Sequence, residues 1–337
     1  MLDSSSCAWI NLAARRALLA SLLAFGVVVA PTPGDAQAPR EKQRVGILGI
    51  TSPTPANQEM FKQGLGQLGY SEDSHYELVQ QHADGVPARL PEAAAALVRA
   101  KATVIFARGT AALAAAARAT TTIPIVAVDL ESDPIALGYA KSLARPGKNV
   151  TGVFLDLPEL SAKQLQLFRE IVPGLSRVVL VGDTVGNAAQ FRATERAART
   201  LGVQAQALEG RTTADLEAAL VTAQRNAVGG VVIFSSPVVF NHSARIATLA
   251  RDKRLATVSL FTEFAEAGGL FTYGPSLRES FLRCGVYVGK ILGGATAAEL
   301  PIERPQKFEF VINQKTAKAL GLTIPRTMLA QADRVIE

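Results

Sequence analysis

The sequence predicts an α/β protein of two lobes, each built on a parallel sheet with helices on both faces. Three observations carry this expectation. Short β-branched runs alternate with helical stretches of about 10–15 residues, the pattern of repeated βαβ units. The runs are continuously apolar rather than alternating, as in a sheet covered on both sides. The alternation pauses at the turn cluster Arg145-Pro146-Gly147-Lys148-Asn149 and then starts again.

Before the pause, strands are expected at 44–50, 76–80, 103–107 and 125–128, with helices at 57–68, 88–100 and 110–120. After it, helices at 159–172, 188–201, 213–226 and 240–253 alternate with strands at 177–182, 203–208, 230–234 and 257–259. Beyond Gly268-Gly269 come a strand at 270–273 and a helix opened by Ser276 with Glu279 three residues on, a capping box. Leu277, Phe281, Cys284, Val288 and Ile291 share one face of that helix, which makes Cys284 a small buried hydrophobe rather than a reactive thiol. A strand at 307–313 and a helix at 314–320 close the pattern.

The 337 residues suffice for about two domains at ~150 residues each. Hydrophobic residues make up 48% and charged residues 19%, which excludes wholesale disorder. Two cysteines exclude a disulfide scaffold and a four-cysteine zinc site. The net charge of +6 is scattered, without a block of five like charges, so a nucleic-acid partner is not expected.

Arg15-Arg16, the apolar run 17–30, and then Pro31, Pro33, Gly34 and Ala36 read as a secretory signal over residues 1–36. The run is shorter than the ~20 residues that span a bilayer. Cleavage after Ala36 is expected, against the alternative of an uncleaved anchor. It removes two basic and two acidic residues and leaves the net charge unchanged.

Catalytic signatures are missing from the sequence. It contains no Gly-x-Gly-x-x-Gly after a strand, no phosphate-binding Gly-x-x-x-x-Gly-Lys and no Gly-x-Ser-x-Gly. The three histidines, His75, His82 and His242, have no helical metal-site spacing. No metal, cofactor or catalytic residue is therefore expected.

Ligands of open parallel sheets bind beyond the carboxyl ends of the strands. In the first half those loops are Thr51-Ser52-Pro53-Thr54, Arg108-Gly109-Thr110 and the segment from Asp129 to Pro134. In the second they are Asp183-Thr184, Ser235-Ser236-Pro237 and the segment from Phe261 to Phe264. Ser52 and Thr110 precede helices, so they either hold an anion with the free N–H groups there or simply cap the helix. Asp133 before Pro134 has the sequence of a cap. Asp129, at a strand end, is a candidate to meet a ligand cation or donor, with Asp183 and Glu263 as its counterparts in the second half. Phe240, Phe261, Phe264 and Tyr273 either stack on a ligand ring or pack the lobe. Arg108 either pairs with a ligand carboxylate or reaches solvent.

Several ordered stretches resemble one family. They include Phe61-Lys-Gln-Gly-Leu-Gly-Gln-Leu-Gly-Tyr70, Asp133-Pro-Ile-Ala-Leu-Gly138, Ser142-Leu-Ala-Arg-Pro-Gly-Lys-Asn-Val-Thr-Gly152, Phe240-Asn-His-Ser-Ala-Arg-Ile246, Tyr273-Gly-Pro-Ser276 and Val311-Ile-Asn-Gln-Lys-Thr-Ala-Lys-Ala-Leu-Gly-Leu322. Together they resemble the TrpX-like substrate-binding proteins of ABC transporters. The resemblance implies a type I periplasmic-binding-protein fold, with two flavodoxin-like or Rossmann-like lobes and three hinge crossovers. It implies lobe 1 at 37–150 plus 271–300 and lobe 2 at 151–270 plus 301–337. Carried over by position, it points to Thr51, Ser52, Gly109, Thr110, Asp129, Asp133, Asp183, Ser236, Phe261 and Glu263 as ligand-binding residues. The chain departs from the family pattern at Arg108, where a small residue is common, at 182–187, and at Ser235-Ser236.

The expectation is thus a periplasmic, monomeric receptor that closes on a small ligand by hinge motion and delivers it to a membrane permease. The ligand is expected to carry a carboxylate, with amino acids and aromatic compounds among the options. Two rival readings use the same scaffold: a sensing module for a signalling receptor, and a secreted enzyme.

Overall fold

The structure, a computed structural model, describes residues 42–337 apart from 73, 130, 131, 156, 185 and 186. The signal segment expected at 1–36 lies outside the described residues.

The first sheet contains β1 (Gln43–Gly49), β2 (Tyr76–His82), β3 (Val104–Arg108), β4 (Ile125–Asp129) and β5 (Val150–Phe154). Its order is β2-β1-β3-β4-β5, and every pairing is parallel. Alternate side chains face opposite layers. Val45, Ile47, Val104 and Phe106 pack with α1 (Pro55–Gly66) and a much later helix, α10 (Leu277–Leu292). Leu48, Ile105 and Ala107 pack with α2 (Leu90–Arg99) and α3 (Thr110–Ala119). Helices α1 and α10 touch backbone to backbone: a Cβ on Gly64 would lie 2.0 Å from the Leu282 carbonyl oxygen, and one on Gly285 would lie 2.1 Å from that of Phe61. Cys284 is fully buried on α10, and burial pushes its thiol well above the ordinary range.

The second sheet begins after α4 (Leu157–Ile171). It contains β6 (Arg177–Gly182), β7 (Gln204–Glu209), β8 (Gly230–Ile233), β9 (Thr257–Ser259), β10 (Phe271–Pro275), β11 (Phe308–Asn313) and β12 (Arg334–Ile336). The order is β12-β11-β10-β9-β8-β6-β7, in which β11 runs antiparallel to β10. Its five-strand parallel part repeats the order of the first sheet. Helices α5 (Ala188–Leu201), α6 (Thr213–Arg225), α7 (Pro237–Asn241), α8 (Ser243–Asp252), α9 (Thr262–Glu266), α11 (Gln314–Ala319) and α12 (Arg326–Gln331) complete the lobe.

The lobe edges fall a strand later than the expected 150 and 270. Residues 150–154 pair with β4 and so extend the first sheet, while 271–275 pair with β9 and stay in the second. The chain therefore crosses after 154, after 275 and around 303–307. The third crossing is fastened to β5: the Glu303 N–H donates to the Gly152 carbonyl and the Phe154 N–H to the Glu303 carbonyl, both at 2.9 Å. Arg283 on α10 grips the Glu303 carboxylate through both oxygens, with Nε to Oε2 at 2.5 Å. This contact holds Glu303 below the ordinary carboxylate range.

Two further differences are local. The helix expected at 240–253 starts at Pro237, because Ser236 caps it by accepting the Val239 N–H at 3.2 Å, and it breaks at His242 into α7 and α8. The segment α12–β12 was not expected; β12 gains its partners from β11, far from any local signal.

Candidate ligand-binding cleft

Both sheets reverse strand order at one place, between β1 and β3 in the first lobe and between β6 and β8 in the second. Such switch points open a crevice at the carboxyl ends of the strands. Six of the ten expected site residues lie there: Thr51, Ser52, Gly109 and Thr110 in the first lobe, Asp183 and Ser236 in the second.

The first-lobe rim differs in detail from expectation. Ser52 is exposed and caps nothing; the cap of α1 is Thr54, which accepts the Asn57 N–H at 3.3 Å. Thr110 is the first helical residue of α3 rather than its cap. Gly109 holds the cap position at φ 85°, without a side-chain hydrogen bond to the helix start. The Thr110 hydroxyl donates to Asp129 Oδ1 at 2.8 Å, and the Ser132 hydroxyl donates to Oδ2. Asp129 is fully buried. Its two oxygens thus hold two hydroxyl-bearing residues of the rim in place. Asp133 acts as a turn cap, accepting the N–H groups of Ile135 at 2.8 Å and Ala136 at 3.2 Å.

Arg108 ends β3, in register with Gly49 of β1 and Val128 of β4. Its side chain folds back over Gly49: a Cβ there would lie 3.1 Å from Cζ and 3.3 Å from Nη1. The guanidinium lies 5.9 Å from the centre of the Phe281 ring. Nε and Nη1 are shut off from solvent and have no partner among the described residues. Burial lowers this guanidinium to about 10, so it remains cationic at neutral pH. His82, across Gly49 on β2, has a buried Nδ1 without a partner, and burial, with the Arg108 charge adding to it, lowers its pKa.

In the second lobe, the Asp183 N–H donates to Asn187 Oδ1 at 2.9 Å, and Asn187 Nδ2 donates to Gln190 Oε1 at 2.6 Å. Phe240 on α7 and Phe261 after β9 meet edge to face at 5.9 Å, both half-buried. Phe264 is buried in the core and Tyr273 stacks on Phe308, so these two pack the lobe. Glu263 sits above the usual carboxylate range, mainly through burial and secondarily through the neighbouring Glu266 and Glu309.

A cavity of about 380 Å³ lies where the lobes meet, walled by Asp133, Phe154, Leu157, Asn187, Gln190 and Arg304 among others. Of the expected site residues it includes Asp133. Phe261 and Glu263 line a separate cavity of about 370 Å³, together with Leu277 and Arg278 at the start of α10. Asn187, Gln190 and Ser132 were not singled out from sequence; a buried Gln on the apolar face of α5 was the one local signal available. Among the described residues no cluster of three metal-ligating side chains occurs, and no helix is long and apolar enough to cross a membrane.

Two parallel sheets of one strand order, joined by three crossings, with polar strand-end loops at both switch points, define the two-lobed binding-protein class of α/β folds. The chain belongs to the ABC transporter substrate binding protein family, whose profile matches residues 53–336. Proteins of this family bind small ligands and deliver them to ABC permeases. A tyrosine-binding protein of Clostridioides difficile (strain R20291) is 22% identical over 269 residues, covering 78% of this chain and 75% of its own. A conserved domain protein of Vibrio cholerae O1 biovar El Tor matches with a TM-score of 0.80 at 24% identity, over 88% of this chain and all of that one. A Streptococcus pneumoniae domain solved in complex with L-Trp gives a TM-score of 0.79 at 22% identity, with the same coverage. These structures share the type I periplasmic-binding-protein fold with this chain.

Proposed function

We propose that this protein is the extracytoplasmic receptor of an ABC importer, exported to the periplasm and working there as a monomer without catalysis. It captures a small carboxylate-bearing ligand between its lobes, and the ligand stabilises the closed state by touching both at once. One observation carries the reading: the two sheets share one strand order and bring equivalent switch points to the ends where the crossings join. The start of α3 presents N–H groups without a side-chain cap. Thr51 and Ser52 follow closely on Gly49, over which the Arg108 guanidinium folds. Phe240 and Phe261 offer an apolar second-lobe wall, which suits a ring or an alkyl chain. The relatives named above, described with tyrosine and L-Trp, support a ligand of this size and class.

A thermal-shift screen of residues 37–337 against amino acids, aromatic acids and short aliphatic acids tests this. A ligand at 100 times its Kd adds about 2.7 kcal/mol of stability. At least one member of these classes is expected to raise the melting temperature. A flat response to all three refutes a carboxylate ligand.

A further inference from the structure

Arg108, Gly49 and His82 form one row across the first sheet. Gly49 pairs with His82 on one side and with Arg108 on the other, so all three positions face the same layer. The middle position has no side chain, and the guanidinium occupies that space. Nε and Nη1 of Arg108 and Nδ1 of His82 are buried and lack partners among the described residues. Buried polar groups are nearly always hydrogen-bonded, and an unpaired buried cation is costly to keep. No described carboxylate pairs with Arg108, so among the described residues the sheet carries an uncompensated cation at its switch point.

The acidic groups nearby add a second constraint. Asp129 is committed to Thr110 and Ser132. Asp133 is committed to its turn, and Asp84 pairs with Arg89 at 3.3 Å. Among the described residues the first-lobe rim therefore offers cationic and neutral donors to a ligand, while Asp129 and Asp133 serve the protein. An α-amino acid brings an ammonium that needs an acceptor; a simple organic acid does not.

We propose that Arg108 is the specificity residue of the cleft, binding the ligand carboxylate with His82 as a second polar contact, and that the protein selects carboxylic acids over the matching α-amino acids. This rests on the receptor reading above and narrows its ligand class. A guanidinium meets a carboxylate through two parallel hydrogen bonds, which lysine cannot reproduce.

The test uses residues 37–337, stripped of ligand by unfolding and refolding, in calorimetric titrations with matched probes. These are 3-phenylpropanoate against L-phenylalanine, indole-3-propanoate against L-tryptophan, and glutarate against L-glutamate. The expected result is that at least one acid binds tenfold or more tightly than its amino-acid partner. Arg108→Gln then weakens that acid at least 30-fold, Arg108→Lys recovers part of the loss, and His82→Leu weakens it several-fold. Gly49→Ala, whose methyl displaces the guanidinium, also weakens it. Unchanged acid affinity in Arg108→Gln, or tenfold preference of the wild type for an amino acid, overturns the proposal while the receptor reading stands. Failure of all six probes to bind overturns both.

Discussion

Replacing Arg108 by methionine should make the ligand-free protein more stable, although the position lies at the centre of the proposed site. The cation has two donors without partners among the described residues, and each buried unsatisfied donor costs about 1–3 kcal/mol. Methionine has a similar length, fills the space over Gly49 and brings no donor. The loss to set against this is the contact with the Phe281 ring at 5.9 Å, worth about 0.5–1 kcal/mol. The balance is a gain of about 1–5 kcal/mol, or about 2–10 °C in melting temperature for a chain of this size. Guanidinium chloride unfolding of refolded, ligand-free wild type and Arg108→Met reads it, with the m-value expected to stay constant. A fall in stability of 1 kcal/mol or more would refute the reasoning, because it would show that Arg108 is a structural member of the lobe.

Three more perturbations test other parts of the structure. Asp129→Ala removes the acceptor of two hydroxyls in a fully buried place and should cost about 2–4 kcal/mol in denaturant unfolding, while Asp129→Asn, which retains one acceptor, should cost less than half of that. Gly285→Ala puts a methyl against the Phe61 carbonyl and should lower stability by about 1–3 kcal/mol by prising α1 from α10; melting temperature measures it, and a neutral change would contradict the backbone contact. Glu303→Gln removes the charge gripped by Arg283 and should cost about 1 kcal/mol at neutral pH. Because the folded pKa of Glu303 is depressed, that difference is fully present above the ordinary carboxylate pKa of about 4.3 and closes as pH falls through the lower folded value. Melting curves of both proteins from pH 7 to pH 3 check the convergence; a gap that widens in acid would contradict it.

The repeating α/β pattern was legible because its signals are local: apolar runs, helix periodicity, and turn residues between them. The face of α10 carrying Cys284 followed from spacing alone, and the structure buries it. What escaped notice depended on distant partners. Residues 150–154 follow directly on a turn cluster and become a strand by pairing with β4. The strand β12 exists because β11 is beside it. In the site, the strand-end loops could be found from the order of elements, whereas the roles within them could not. Whether Asp129 faces a ligand or supports the rim depends on Thr110, 19 residues away, and on Ser132. Whether Arg108 reaches solvent depends on a glycine across the sheet, and the strand register alone reveals that glycine.

The most direct measurement is a crystal structure of the protein with the tightest-binding acid from the titrations. The account predicts the ligand between the lobes, its carboxylate within hydrogen-bonding distance of the loops that end β1 and β3, with Arg108 turned to meet it. A ligand seated instead in the hinge cavity between Arg283, Glu303 and Lys307, with the switch points untouched, would contradict the account.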